Sequence, residues 1–213
     1  MISHLELAKK HEDAEEFQEA IDEYAKAALE EPDSTEPLVR RAFVLEEVGQ
    51  HHMALEDLDK AISLDAGSLL ALGLRGDILF TLGRYEDAVR DFTTSISIDS
   101  GDAETYYNRG LLYARMGQAQ DALDDLTTAL KLNPYHGSAY NNRGLLFYSL
   151  GNYDMALYDF GRAIELREGF ACSYSHRARV YEAIGETAKA ADDLREARRI
   201  ELSIAEGPWD KRG

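Results

Sequence analysis

The sequence predicts an all-α protein, an α-solenoid in which antiparallel helix pairs stack one after another. Three observations predict this class. A pattern of apolar and small residues returns every 34 residues along the 213-residue chain, and a fixed period of this length is typical of a solenoid. Each period holds two amphipathic segments of helical periodicity. Glycine or proline residues stand where these segments would turn or end.

The unit 103–136 shows the pattern most clearly. Gly110 and Ala122 are small residues on opposite sides of a turn, so two antiparallel helices can approach closely there. Gly117 would form the turn between the helices, and Pro134 would end the second helix. Because one helix pair cannot bury both of its faces alone, each unit needs neighbours.

The order of these residues resembles the tetratricopeptide repeat (TPR) family. The shared features are the small residue of the first helix, an aromatic residue three places later, the glycine turn, the small–large–small series of the second helix and the closing proline. The same phase continues as a single array through six units, at 1–34, 35–68, 69–102, 103–136, 137–170 and 171–204, followed by a tail at 205–213. The resemblance implies a right-handed superhelix whose first helices line a concave groove for partners.

Composition limits the possible functions. The chain has 40 acidic and 23 basic residues and a formal charge of −17, which disfavours binding to a nucleic-acid backbone and leaves room for a basic partner. Cys172 is the single cysteine, so no intrachain disulfide can form and a reducing compartment is expected. The N-terminus lacks the features of a secretory signal, and no apolar run is long enough to span a bilayer. We therefore predict a cytoplasmic protein without membrane insertion.

The two ends of the array differ from its middle. His4 and His11 occupy places where later units carry leucine or an aromatic residue, which predicts a polar first face and, without a third ligand, no metal site. Arg198 stands where earlier units carry isoleucine or leucine, so we expect no further helix to pack over it. Trp209 in the tail could fold back onto the last helix, be disordered or enter a neighbouring molecule.

An arginine recurs at one place in units two to six, and an aspartate recurs at one place in their second helices. The arginine is missing only from the first unit, where Leu7 stands. This suggests that each acid meets the arginine of the following unit, for example Asp91 with Arg109. Pairing within a unit is the rival arrangement and gives the same number of pairs. Both arrangements are structural, because every arginine has an acidic companion.

The candidate binding surface consists of first-helix side chains that lie off the apolar packing stripe. These side chains are acidic in the first two units, apolar, aromatic or amide in the middle, and basic or polar later. The acidic candidates are Glu12, Glu36, Glu46 and Glu47. The other candidates are Leu74, Phe80, Tyr107, Asn108, Leu111, Arg115, Asn141, Asn142, Leu145, Tyr148 and His176.

This gradient suggests a peptide whose basic part lies against the first two units and whose apolar side chains meet the region of Tyr107 and Tyr148. Asn108 and Asn142 share one place in consecutive units and could hydrogen-bond the peptide main chain, since an amide both donates and accepts. The arrangement resembles TPR proteins that bind peptides through a ladder of asparagines. The alternative is that both residues only preserve the Asn-Arg-Gly form common in the family.

Two other roles are disfavoured. TPR co-chaperones that bind a C-terminal carboxylate use lysine and asparagine in the first helix of their clamp, and the unit before Asn108 offers Gly73 and Asp77 there. Cys172 has His176 one turn later, but no oxyanion donor or orienting acid is evident. We predict no enzyme activity and no cofactor.

The sequence therefore predicts a scaffold or adaptor that binds a peptide or partner segment of another protein. The alternative is a structural protein that self-associates through the array ends or the C-terminal tail.

Overall fold

A computed structural model describes residues 2–166 and 171–205. These parts of the chain form twelve α-helices and no strand. The first helices of the pairs are α1 (His4–Asp13), α3 (Glu36–Glu47), α5 (Leu69–Thr81), α7 (Ala103–Arg115), α9 (Gly137–Ser149) and α11 (Ala171–Ala183). The second helices are α2 (Phe17–Glu30), α4 (His51–Leu64), α6 (Tyr85–Ile98), α8 (Ala119–Leu132), α10 (Tyr153–Glu165) and α12 (Thr187–Ala205). Each second helix begins 34 residues after the previous one, and the predicted all-α solenoid class is confirmed.

The chain divides into two compact units, Met1–Gly101 (unit 1) and Asp102–Gly213 (unit 2). Each 34-residue element of the sequence pattern is called a repeat, to distinguish it from these two units. Within each unit every helix packs against the next one, and some first helices also contact each other: α3 with α5, α7 with α9 and α9 with α11. The first helices therefore share one side of each unit, which we call the first-helix face. That the two units continue as one array stays a prediction. None of the described helices is both long and apolar enough to cross a lipid bilayer.

Glycines in the first helices allow the two helices of a pair to approach closely. A Cβ atom at Gly110 would lie 3.1 Å from Cγ of Leu126, and one at Gly144 would lie 2.8 Å from Cε1 of Phe160. Leu126 and Phe160 are both 0% exposed, so a shift of either side chain would disturb the packed core. The close approach predicted from the small residues is confirmed, and it depends on the missing side chain.

The turn inside each pair uses a left-handed backbone conformation. Gly117 has φ of 75°, and the first repeat places Glu15 at φ of 60° in the corresponding turn. A residue with a Cβ is strained in this conformation. The first repeat therefore keeps the turn geometry without its glycine.

The recurring arginines and aspartates, which we call the arginine–aspartate ladder, pair within one repeat. The preferred arrangement, pairing between consecutive repeats, is therefore wrong. In the pair of Arg143 and Asp159, Nε donates to Oδ2 and Nη2 donates to Oδ1, both at 2.8 Å. The equivalent pairs are Arg41–Asp57, Arg75–Asp91, Arg109–Asp125 and Arg177–Asp193. The physical reason is that the forked guanidinium matches both carboxylate oxygens across the close contact of one helix pair.

The remaining guanidinium nitrogen links neighbouring repeats. Nη1 of Arg75 donates to Oδ1 of Asp59 at 2.7 Å, and Nη1 of Arg143 donates to Oγ1 of Thr127 at 3.1 Å. Asp59 and Thr127 both lie two residues after the ladder aspartate of the preceding repeat. Arg143 also lies 5.7 Å from the ring centre of Tyr140 in its own helix, a favourable cation–π distance. The ladder thus connects repeats through residues that the sequence pattern did not single out.

At the N-terminal end, Lys26 and His4 take the place of the missing arginine. Glu23 holds the ladder place of the first repeat, and Nζ of Lys26 donates to it at 2.6 Å while His4 also contacts it. Hydrogen bonds from Lys26 and then from His4 hold the pKa of Glu23 below its usual range. The predicted polar end is present. Among the described residues, no group of three or more His, Cys, Asp and Glu side chains could hold a metal ion.

The C-terminal end of the described chain leaves apolar surface open. Leu194 is 44% exposed. The residues at its place in the five earlier repeats are at most 2% exposed; they are Tyr24, Leu58, Phe92, Leu126 and Phe160. Arg198 on the same helix is exposed, as the sequence pattern predicts. The alternatives for Trp209 concern a residue outside the described ranges.

Candidate functional site

The first-helix face of unit 2 carries most of the predicted binding residues, on α7, α9 and α11. Nδ2 of Asn142 donates to Oη of Tyr107 at 3.1 Å and to the main-chain oxygen of Ser138 at 2.9 Å. Both amide hydrogens of Asn142 are therefore engaged, and its carbonyl oxygen is left as an acceptor. Asn142 thus links two repeats in addition to any part in binding.

Asn141 forms a second link between repeats. Its Oδ1 accepts a hydrogen bond from Oγ of Ser173 at 3.1 Å and lies 3.0 Å from Nδ1 of His176. The His176 ring packs against Phe160, with 5.5 Å between ring centres. Burial, and then the positive charge of Arg179, lower the pKa of His176. His176 is therefore a neutral, packed side chain at neutral pH.

Asn108 holds the same place as Asn142 one repeat earlier, but its side chain is not tied down. It is partly buried and forms no side-chain hydrogen bond within the described part of the chain. Leu111 and Leu145 are partly buried on the same face. This part of the face offers an amide with both donor and acceptor beside apolar side chains.

Aromatic and basic side chains lie further along the same helices. The guanidinium of Arg179 lies 5.3 Å from the ring centre of Tyr148, so α11 partly covers this tyrosine of α9. Arg115 is exposed in the last turn of α7. The structure therefore brings Tyr148 next to a cation and leaves Arg115 open to solvent.

Sequence reasoning missed His136, which supports this face. Its ring lies 4.4 Å from the ring of Tyr107, centre to centre. Nδ1 accepts a hydrogen bond from the main-chain nitrogen of Ala139 at 3.4 Å, which caps α9, and Nε2 lies 3.2 Å from Oε2 of Glu104. The signal was available, because His136 holds the capping place occupied by Asp102 one repeat earlier.

Two of the four acidic candidates in unit 1 are compensated within the unit. Oε1 of Glu36 lies 2.8 Å from Nζ of Lys9 and 3.2 Å from Nε of Arg40. Glu12 accepts a hydrogen bond from Tyr24 and lies 3.7 Å from Nη1 of Arg40. Burial, and then the bond to Glu12, raise the pKa of the Tyr24 hydroxyl. Glu12 and Glu36 therefore tie the first two repeats together and leave little charge for a partner.

The other two acids are not compensated. Glu46 and Glu47 form no ion pair or side-chain hydrogen bond within the described residues. They lie in the last turn of α3, which contains no basic residue. A negative charge is unfavourable at the carbonyl end of a helix. Within the described chain, Glu46 and Glu47 therefore add two negative charges without an ion-pair partner to this part of unit 1.

Apolar candidates of unit 1 lie on the same face. Leu74 and Phe80 are partly buried, and the Phe80 ring lies 5.8 Å from that of Tyr85, centre to centre. Sequence reasoning missed Phe43, which is 46% exposed on α3. Phe43 holds the same repeat place as Leu111, so the repeat pattern would have found it.

The side chains that could suggest catalysis are used differently. Cys172 is exposed on α11, whereas His176, one turn later, contacts Asn141 and Phe160. The first-helix faces combine amides, aromatic rings and apolar side chains, which suit recognition of a peptide.

Comparisons with known proteins agree with the fold. A family model described as TPR repeat matches residues 76–117, and one described as tetratricopeptide repeat matches residues 103–136 and 137–170. No curated protein sequence matches the chain.

Several solved structures are similar. The MamA crystal structure is 25% identical, covers 76% of this chain and 95% of that chain, and gives a TM-score of 0.73. YrrB, described as a TPR protein with an unusual peptide-binding site, is 24% identical, and the alignment covers 84% of this chain and 92% of YrrB with a TM-score of 0.70. A tetratricopeptide repeat protein from Parabacteroides merdae is 23% identical, and the alignment covers 95% of this chain and 86% of that protein with a TM-score of 0.79. The family models identify tetratricopeptide repeats within residues 76–170, the solved structures share the fold, and the twelve described helices fit about six helix-pair repeats.

Proposed function

We propose that this protein is a non-catalytic interaction scaffold that binds a peptide segment of another protein on its first-helix faces. The observation that carries the proposal is the side chain of Asn108, which is partly buried yet forms no hydrogen bond within the described chain. The polar atoms of this amide remain open to water, and exchanging that water for the hydrogen-bonding groups of a ligand contributes about 0.5–1.5 kcal/mol per bond. A peptide main chain offers both the donor and the acceptor that an amide requires.

The neighbouring side chains favour the same ligand. The unused carbonyl oxygen of Asn142 would accept from a peptide N–H, because its two hydrogens are held by Tyr107 and Ser138. Leu111 and Leu145 would contact apolar side chains of the peptide on the same face. The first of these points revises the sequence hypothesis, in which Asn108 and Asn142 were equivalent.

Similar proteins and composition support the proposal. TPR proteins and their structural neighbours are typically non-catalytic scaffolds, and YrrB is described as having a peptide-binding site. The net charge of −17 and the uncompensated Glu46 and Glu47 favour a partner with a basic segment. The single cysteine supports a cytoplasmic location.

The test uses peptides selected from a phage-displayed random library on the wild-type protein. We expect Asn108→Ala to weaken binding of the selected peptides about three- to tenfold, the loss of one hydrogen bond, and Leu111→Ser to weaken it further. Fluorescence anisotropy with labelled peptides measures the change in Kd. The matched control is Gln120→Ala, on an exposed position of α8. Unchanged Kd values in both Asn108→Ala and Leu111→Ser would refute this site.

Self-association is the second candidate, and the uncovered face of α12 favours it. Leu194 and Leu202 are 44% and 52% exposed on this helix, and a second copy could cover them. Light scattering over a range of protein concentrations should then show a mass that grows with concentration and falls back to the monomer in Leu194→Ser. A constant monomer mass would rule this candidate out.

A further inference from the structure

We propose that the first-helix face of unit 1 binds a partner segment in which a large apolar side chain stands beside lysine or arginine. The surface consists of Phe43, Leu70, Gly73 and Leu74, which we call the apolar patch, together with the acids that follow Phe43. The inference rests on the proposed function, binding of peptides by first-helix faces, and names the chemistry of one partner segment and its place.

The apolar patch exposes two large apolar side chains on adjacent first helices. Phe43 on α3 is 46% exposed and Leu70 on α5 is 71% exposed, and these two helices contact each other. Phe43 and Leu70 hold the same two repeat places as Lys9 and Glu36, whose side chains meet at 2.8 Å. By the repeat geometry, Phe43 and Leu70 therefore lie side by side on adjacent first helices. Their exposed area is where an apolar side chain of a partner would be removed from water.

Gly73 leaves open space above the helix backbone within the apolar patch. A Cβ atom at Gly73 would have no atom within 4 Å, so the packing of the repeats does not require a glycine here. A glycine inside a helix weakens it relative to alanine. Its position between Leu70 and Leu74 on α5 leaves space in which a ligand can approach the helix backbone closely.

The charges beside the apolar patch favour a basic partner. Glu46 and Glu47 follow Phe43 by about one helical turn, form no ion pair within the described chain and lie in a last turn without a basic residue. The cations nearest in the repeat pattern, Lys9 and Arg40, already bind Glu36. A cation that pairs with Glu46 and Glu47 can therefore come from a partner.

The spacing defines the partner segment further. Side chains one helical turn apart are separated by roughly 5–6 Å, so the apolar site at Phe43 and the acidic site at Glu46 and Glu47 are that close. A partner reaches both with an apolar residue and a cation two places apart in an extended segment, or one turn apart in a helix.

The test uses three fluorescein-labelled synthetic peptides with a common Gly/Ser framework, which carry leucine and lysine, leucine and glutamate, or serine and lysine at alternate places. We expect the leucine–lysine peptide to bind most tightly and the other two to bind at least about tenfold more weakly. Leu70→Ser, and separately Glu46→Gln combined with Glu47→Gln, should each weaken the leucine–lysine peptide about tenfold. Gly73→Leu should weaken binding of the leucine–lysine peptide to a similar extent, because the new side chain fills the open space above the helix backbone. The same change should raise the thermal stability of the protein.

Matched variants exclude general effects of charge and hydrophobicity. Leu29→Ser removes an 82% exposed leucine from α2, and Glu86→Gln removes an exposed acid from α6; neither should change the Kd. Asn108→Ala in unit 2 should also leave it unchanged, which separates this inference from the site tested above. Equal binding of the leucine–glutamate peptide, or unchanged binding in both Leu70→Ser and Gly73→Leu, would overturn the inference.

Discussion

Replacing Asp159 with alanine is expected to lower the free energy of unfolding of unit 2 by about 3–5 kcal/mol. Asp159 is 0% exposed and accepts two hydrogen bonds from Arg143. Without the carboxylate, the buried guanidinium of Arg143 keeps its charge and loses its main partner, since Thr127 offers only a neutral oxygen. Denaturant unfolding followed by circular dichroism measures the change.

Two controls test whether the loss of stability in Asp159→Ala comes from the unpaired charge of Arg143. The double variant Arg143→Met/Asp159→Leu should recover most of the lost stability, because it removes both charges and fills the space with apolar atoms. Asp192→Ala breaks an exposed ion pair with Arg195 and should change stability little. An effect of Asp159→Ala as small as that of Asp192→Ala would contradict the structural role assigned to the ladder.

Replacing Gly144 with alanine is expected to destabilise unit 2 by about 1–3 kcal/mol, the usual cost of overpacking a core. The new Cβ would lie 2.8 Å from Cε1 of Phe160, which is fully buried. Either the ring or the helix must move, and both movements disturb the packing between α9 and α10. Thermal unfolding of the variant measures the loss.

The same substitution at Gly73 is the matched control. Gly73→Ala adds a Cβ in open space and should raise the free energy of unfolding by about 0.5–1 kcal/mol through helix propensity. Opposite signs at two helical glycines would show that close packing, and not the glycine itself, decides the effect. A gain in stability from Gly144→Ala would mean that the two helices are not in close contact there.

The sequence was sufficient for the fold because the repeat period and the packing residues carry the same information. Gly117 and Pro134 separate and end helices in a fixed phase, and the second helices follow that phase throughout the described chain. The ladder could not be assigned in the same way. When an arginine and an aspartate each recur once per repeat, pairing within a repeat and pairing between repeats give the same sequence pattern. Only the distance between the two side chains in the folded protein shows which pairing forms.

The candidate site was predicted in outline and not in its contacts. Helical periodicity placed Tyr107, Asn108 and Asn142 on first helices, but it could not show that Asn142 donates to Tyr107. Phe43 was not predicted, although it holds the same repeat place as Leu111. Such contacts depend on the packing between repeats, which the sequence pattern of one repeat does not contain.

Photo-crosslinking tests the central claim most directly. A benzoylphenylalanine placed at Leu111, on the first-helix face, or at Gln120, on exposed α8, would be irradiated with a labelled peptide selected on the wild-type protein. Strong crosslinking from position 111 with little from position 120 is the result that binding on the first-helix face predicts. Crosslinking mainly from position 120 would contradict it.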